Sequence, residues 1–236
     1  MDLYTLRTEL KTLDTIERLH YVAAQFEGKV VFSTSFGWED QVVTHLIFEN
    51  NIPIKVFTLE TGRLFTETYY VWNRTLEVYG KPIHAYYPQT ELLQEMVNGK
   101  GPNSFYESVA NRKECCYIRK IEPLKRALAG NEIWITGIRA AQSQNREDMH
   151  DVEWDEGNQL IKFHPLFDWT LEAVKQYIKD HHIVYNPLHD RGFPSIGCAP
   201  CTRAVQPGED FRAGRWWWED QSKKECGLHV TSSAEG

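Results

Sequence analysis

Apolar positions recur along the chain with two periods, and the alternation between them sets the expected architecture. Over residues 1–27, Leu6, Leu10, Leu13, Ile16, Leu19 and the positions 22–24 return every three or four residues, which is the repeat of one helical face, until Gly28 ends it. Residues 29–34 form a short apolar run read as a buried strand, and 39–48, with Val42, Val43, Leu46 and Ile47, as the helix after it. The same unit returns as a strand at 54–59, a loop at 60–63 and a helix at 66–79 closed by Gly80, then as a strand at 83–87 and a short helix at 91–97. After a turn at 99–103, a helix over about 111–129 carries Cys115 and Cys116. Strands at 133–138 and 160–163 and a helix at 171–182 complete the regular part, and past Pro187 the periodicity fades. Strands alternating with helices imply an α/β fold with a doubly wound, mostly parallel sheet that binds ligands beyond the carboxyl ends of its strands. The loops at 33–37 and 60–63 are expected at that edge.

The length of 236 residues, 42% of them hydrophobic, suits one α/β domain spanning 1–236, with residues 203–236 as a mobile C-terminal tail. With 26 basic against 33 acidic residues and a net charge of −7, the chain lacks the broad basic face that nonspecific nucleic-acid binding needs, so any anion site must be local. The amino terminus has no basic region followed by an apolar stretch, and no apolar run in the sequence is long enough to span a bilayer, so a cytoplasmic protein without a membrane partner is expected. In a reducing compartment five cysteines point to metal ligands or redox groups rather than a disulfide framework. They divide as Cys115-Cys116, Cys198-Ala-Pro-Cys201 and a lone Cys226. Nothing in the sequence reports the oligomeric state, and a homo-oligomer is compatible with it.

Four segments carry candidate chemistry, each with a plainer reading beside it. Ser33-Thr34-Ser35-Phe36-Gly37 lies between a strand and a helix, where backbone N–H groups and small hydroxyls hold a phosphate or sulfate, or where Ser35 or Asp40 merely caps the helix. Leu59-Glu60-Thr61-Gly62-Arg63 places an arginine beside a turn glycine, and Gly137-Ile138-Arg139 places another at a strand end; either guanidinium serves a ligand anion or a local ion pair. Vicinal Cys115 and Cys116 form a cramped chelate on one zinc ion but can each take a different iron of a 4Fe-4S cluster, with Cys198 and Cys201 on the other two. Lys120, four residues after Cys116, shares its face on a continuous helix or belongs to an exposed basic surface with Lys113, Arg119 and Lys125. In the tail, Arg212 and Arg215 precede Trp216-Trp217-Trp218, read as packing residues, and Cys226 stands in Glu-Cys-Gly-Leu-His229. It is either an exposed thiol or a thiolate nucleophile that Lys120, Arg212, Arg215 or a protonated His229 would activate.

The loop at Ser33–Asp40 resembles the modified pyrophosphate loop of the adenine-nucleotide α-hydrolase-like proteins. Members that cleave ATP carry Ser-Gly-Gly-x-Asp-Ser; here Phe36 takes one glycine place and no serine follows Asp40, which disfavours ATP cleavage. Together with Leu-Glu-Thr-Gly-Arg63, Lys-Glu-Cys115-Cys116, Cys198-x-x-Cys201 and Glu-Cys226-Gly-Leu-His229, the chain from Lys29 through Cys226 resembles the assimilatory adenylyl-sulfate reductases of the cluster-containing type. The related phosphoadenylyl-sulfate reductases share the tail motif and typically lack both cysteine pairs. The resemblance implies one 4Fe-4S cluster on Cys115, Cys116, Cys198 and Cys201. It implies Cys226 as the nucleophile on adenylyl sulfate, with Lys120, Arg212 and Arg215 holding the sulfate. Ser33, Thr34, Ser35, Leu59, Gly62, Arg63, Gly137 and Arg139 would line the nucleotide site, and thioredoxin would be the external electron donor. The competing expectations are phosphoadenylyl-sulfate or dual specificity, an ATP-dependent sulfurtransferase of the same fold, and a zinc-stabilised nucleotide-binding module.

Overall fold

The apolar repeat over 1–27 folds as two helices, α1 (Leu3–Leu10) and α2 (Thr15–Gln25), because Asp14 starts the second one. Its carboxylate accepts from the Glu17 N–H at 2.8 Å while the Glu17 carboxylate accepts from the Asp14 N–H at 2.9 Å. Such a reciprocal cap is worth about 1 kcal/mol. In the computed structural model the described residues are 2–140 and 149–219. Cys226 and His229, and the polar stretch 141–148, lie outside them.

The remaining elements follow the expected order: β1 (Val30–Ser33), α3 (Trp38–Glu49), β2 (Lys55–Leu59), α4 (Thr66–Tyr79), β3 (His84–Tyr86) and α5 (Thr90–Lys100). The helix expected over 111–129 is in three pieces: α6 (Val109–Cys116), a π-helical stretch (Tyr117–Ile121) and α7 (Glu122–Leu128). Then come β4 (Ile133–Ile135), β5 (Val152–Asp155), β6 (Leu160–Phe163) and α8 (Leu171–Asp180). Among the described residues six strands form one sheet in the order β3-β2-β1-β4-β6-β5. The β1–β2, β1–β4 and β4–β6 pairs are parallel and β5–β6 is antiparallel, so the mostly parallel α/β sheet is as expected. The strand β5 was not anticipated: its Glu153 and Asp155 look unsuited to a sheet, yet Asp155 pairs at 2.9 Å with the buried Lys162 of the neighbouring strand, and Glu153 lies 3.5 Å from His164 just past that strand's end.

The chain divides into two compact units. The first comprises Met1–Thr58, Thr68–His84 and Gly130–Asn186. Its core lies on one face of the sheet, where Val30, Phe32, Ile133, Ile135, Ile161 and Phe163 meet Leu6 and Leu10 of α1, Leu19 and Val22 of α2, Val43 and Ile47 of α3, and Val174 and Ile178 of α8. Alternate residues of the strands supply this layer, as the two-residue repeat of a strand requires.

The second unit comprises Leu59–Glu67, Ala85–Ala129 and the chain from Pro187 on. Its small core is built from Phe105, Cys116, Cys198, Cys201 and Trp216, with Cys115 and Trp218 packed against it. The described part of the tail is anchored there by backbone. Arg203 N–H donates to Gly214 O at 3.0 Å, Trp216 N–H to Cys201 O at 3.1 Å, and Thr202 bridges antiparallel to Arg215. The three tryptophans divide by burial: Trp216 is enclosed, Trp218 is half-buried and Trp217 is exposed.

Candidate active site

In the second unit the four cysteines of the two pairs, expected from spacing alone to share a metal, line one cavity together with Arg63, Arg119, Lys120 and Arg215. Cys115 and Cys116 end α6, and the π-helical turn that follows widens the helix where Lys120 leaves it; π-turns recur at functional sites. The helix is therefore not the continuous α-helix expected, but Lys120 still reaches the cysteines' cavity. Cys198 and Cys201 flank a single helical turn made rigid by Pro200 and closed by Cys201 N–H donating to Cys198 O at 3.0 Å. The Cys198 thiol donates to the Thr61 hydroxyl at 3.4 Å, and Ala199 N–H donates to Arg63 O at 2.8 Å. These bonds tie the second cysteine pair to the turn at 61–63.

All four cysteines are free thiols, three of them buried. Desolvation pushes the Cys201 thiol up to about 12, with Cys198 adding to the shift and Lys120 and Arg215 opposing it. Desolvation also raises Cys115, against the pull of the Arg119 guanidinium, which hydrogen-bonds to it. Nearby charge is mostly cationic. The buried Arg119 donates through Nη1 to Thr61 O, and its Nε has no partner among the described residues. Arg215, also buried, stacks on Trp216 at 4.8 Å, donates weakly to Ser195 at 3.4 Å, and leaves its Nε unpartnered. Its guanidinium crosses Gly197 so closely that a Cβ there would lie 2.3 Å from Nη2 and would push the guanidinium aside. Arg112 is paired internally: Glu219 accepts from its Nε and Nη2 at 3.0 and 2.8 Å, and its guanidinium covers the other contact on Trp216 at 4.9 Å.

Cys115, Cys116, Cys198 and Cys201 are the residues here that could hold a metal or a cluster. Among the described residues no three His, Cys, Asp or Glu side chains are arranged to hold one metal ion, although four sulfurs share a cavity. A four-iron cube offers a separate corner to each thiolate, and the unpartnered guanidinium nitrogens of Arg119 and Arg215 need an anion.

The Leu-Glu-Thr-Gly-Arg segment belongs to the same unit. Leu59 ends β2. Glu60, 3% exposed, folds back so that its carboxylate accepts from Gly62 N–H. Arg63 donates to Asn103 Oδ1 at 3.1 Å and to Pro102 O, and lies over the Phe105 ring at 5.4 Å, so it lines the cysteine cavity. Arg212 is half-buried, and its N–H donates to the Asp210 carboxylate at 2.8 Å; the described residues do not place it on the cavity wall.

In the first unit the loops after the parallel neighbours β1 and β4 share the carboxyl edge of the sheet. The Ser33 hydroxyl accepts from Trp134 Nε1 at 2.8 Å and Thr34 N–H donates to Phe57 O at 2.8 Å. Phe36 adopts φ +62°, the left-handed region that favours glycine, and its ring is buried in a stack on Trp72 at 5.5 Å. Its N–H donates to the Thr34 hydroxyl at 3.1 Å. Ser35 donates both its N–H and its hydroxyl to the Asp40 carboxylate, each at 2.6 Å. Gly137 N–H also donates to Asp40, and a Cβ on Gly137 would lie 2.3 Å from Asp40 Oδ1. Desolvation pushes the Asp40 carboxyl up to about 6, with the Glu39 charge adding and the Ser35 hydrogen bonds opposing. Arg139, 2% exposed, is held by Glu39 at 2.8 Å.

Sequence reasoning thus singled out the two cysteine pairs and both loops, with Asp40 named in the first loop only as a cap, and read Arg119 only as part of an exposed basic surface. Arg119 carried a readable signal, since it is seven residues from Arg112 on the segment that bears the cysteines, whereas Asp40 looked like an ordinary first-turn acid.

Comparison with known proteins gives these sites a family. The phosphoadenosine phosphosulfate reductase domain family matches residues 29–204. An adenosine 5'-phosphosulfate reductase of Burkholderia cepacia is 49% identical over 220 residues, covering 92% of this chain and 88% of that one. One from Allochromatium vinosum is 50% identical over 214 residues, covering 91% and 83%. The crystal structure of a phosphoadenylyl-sulfate reductase from Candida auris, in a phosphate complex, superimposes with a TM-score of 0.73 at 27% identity, covering 86% of this chain and 96% of that one. The chain belongs to the phosphoadenosine phosphosulfate reductase domain family.

Proposed function

We propose that the chain reduces adenylyl sulfate to sulfite and AMP, as a thioredoxin-dependent adenylyl-sulfate reductase of assimilatory sulfate reduction acting in the cytoplasm. The observation that carries this reading is the gathering of Cys115, Cys116, Cys198 and Cys201 around one cavity with Lys120 and Arg215. The names of the relatives at about half identity support it.

In the proposed reaction the Cys226 thiolate attacks the sulfur of adenylyl sulfate, the bond from sulfur to the bridging phosphate oxygen breaks, and AMP leaves. Cys226 then carries an S-sulfonate. One thiolate of reduced thioredoxin attacks the Cys226 sulfur and expels sulfite. Its second thiol closes the thioredoxin disulfide and returns the Cys226 thiol, so the two electrons that reduce the sulfur come from the dithiol. Cys115, Cys116, Cys198 and Cys201 would hold a 4Fe-4S cluster, which supplies a compact anion that orders the site and balances the buried cations. Lys120, Arg212 and Arg215 hold the sulfate. Ser33, Thr34, Ser35, Leu59, Gly62, Arg63, Gly137 and Arg139 line the nucleotide.

Sulfite release with thioredoxin tests the proposal: adenylyl sulfate should be turned over in preference to its 3'-phosphorylated form. Preference for the 3'-phosphorylated nucleotide would reassign the substrate, and release of pyrophosphate from ATP would replace the reading with an ATP-dependent sulfurtransferase.

A further inference from the structure

The face of the sheet opposite the main core carries a buried polar row that ends at the loop after β1. Ile133 and Ile135 of β4, with Ile161 and Phe163 of β6, face the core, so strand alternation turns Trp134 and Lys162 to the other side, where they are register partners. Lys162 is 3% exposed; it pairs with Asp155 of β5 at 2.9 Å, and its ammonium lies over the Trp134 ring at 5.2 Å. Trp134, 2% exposed, donates its indole N–H to the Ser33 hydroxyl at 2.8 Å. A cation over the ring draws on its π density, which strengthens the indole N–H as a donor.

The three hydroxyls of the loop differ in consequence. Ser35 gives its hydrogen to Asp40, while Thr34 is buried and accepts from Phe36 N–H. Ser33 is half-buried at the carboxyl end of β1, and its oxygen is engaged by Trp134, so its own hydrogen is turned away from the indole. Among the described residues that hydrogen meets no acceptor. We propose that Trp134 is a positioning residue that fixes the Ser33 hydroxyl as a hydrogen-bond donor to the bound nucleotide. Without the indole N–H the hydroxyl is free to turn, and a ligand must then bear the cost of ordering it. This role rests on the reading of Ser33 as a nucleotide contact, and not on the fate of the sulfate.

Calorimetric titration of AMP into the holo-protein tests it without turnover. Trp134→Phe keeps a ring beneath Lys162 and removes the N–H; it should bind AMP about three- to tenfold more weakly than the wild type, the range of one hydrogen bond. Ser33→Ala should lose at least as much, and adding Trp134→Phe to it should change nothing further, because the indole then has no hydroxyl to orient. Wild-type affinity in a Trp134→Phe protein that retains its circular dichroism and iron content would overturn the proposal. So would an equal loss in both backgrounds, since the ring would then act through packing, and so would a wild type that binds no AMP. Should Trp134→Phe fail to fold, the Trp134 indole N–H resonance of the wild type decides. AMP should shift it saturably, because a hydroxyl that donates becomes a better acceptor, and an unmoved resonance would refute the role. Failure of the reductase reading would appear separately, as wild-type protein that binds AMP but releases no sulfite from adenylyl sulfate.

Discussion

The cysteine cavity and the loop after β1 both gather hydrogen-bond donors and charge, but they balance them in opposite ways. In the loop Ser35 and the nearby cation have partners from the chain itself: Asp40 takes Ser35 and Gly137, and Glu39 takes Arg139. Around the cavity, Arg119 and Arg215 are buried with Nε atoms that lack a partner, and four thiols are pressed together in low dielectric. A buried cation without a counter-charge is costly. In the first region charge is balanced from within the chain; in the second, two buried guanidiniums keep Nε atoms without a partner among the described residues.

The contrast can be broken most sharply by replacing a cysteine. Cys198→Ser should empty the cavity of iron and lose the absorbance near about 400 nm that such clusters show, while Asp40→Asn should keep both. Iron retained in full in Cys198→Ser would remove that residue from the ligand set. Next in size is the pair that is internal to the cavity wall. Glu219→Ala removes the carboxylate that accepts from the buried Arg112 and should cost about 3–5 kcal/mol of unfolding free energy in denaturant titration; a loss below about 1 kcal/mol, the range of an exposed pair, would show that water reaches it.

For the loop the test is pH. Desolvation raises the Asp40 carboxyl to about 6, so the folded chain holds this proton more tightly than the unfolded one. Its contribution to stability is fully present below the unfolded carboxyl value, near about 4, and is lost as pH rises through about 6. Asp40→Asn should therefore gain on the wild type between pH 4 and 8, by up to about 3 kcal/mol, measured as the difference between the two denaturation curves. A difference independent of pH would mean the carboxyl is not desolvated. The smallest effect belongs to Tyr106→Phe, which removes the hydroxyl donated to Pro200 O at 2.7 Å beside the second cysteine pair. Being partly exposed, it should cost about 0.5–1.5 kcal/mol and leave the iron content unchanged.

Much of this was legible before any fold was known. Buried strands such as Val30–Ser33 and Ile133–Ile135 announce themselves as apolar runs, and the helix Thr66–Tyr79 has the bounds that its repeat and Gly80 predict. The break between α1 and α2 was readable too, from Asp14 and Glu17, but the helical repeat of the flanking leucines masked it. β5 was hidden because its charged side chains meet Lys162 on β6 and His164 just beyond it, and a local pattern cannot reveal a partner across a hairpin. The π-turn at Tyr117–Ile121 leaves no signature in residue type. At the site, residue types named the four thiols and Lys120, while the convergence of pairs some eighty residues apart came only with the fold. Asp40 and Arg119 escaped because their meaning is a distance, to Ser35 and Gly137 in one case and to Thr61 and Cys115 in the other.

The central claim is that a thiolate, not the resident group, takes the sulfur. It is tested most directly by incubating the protein with adenylyl sulfate in the absence of any reductant and mapping the product by peptide mass spectrometry. One sulfonate on Cys226, released as sulfite when reduced thioredoxin is added, is the expected result; a sulfonate that still forms in Cys226→Ser, or sulfite released from that variant, would contradict it.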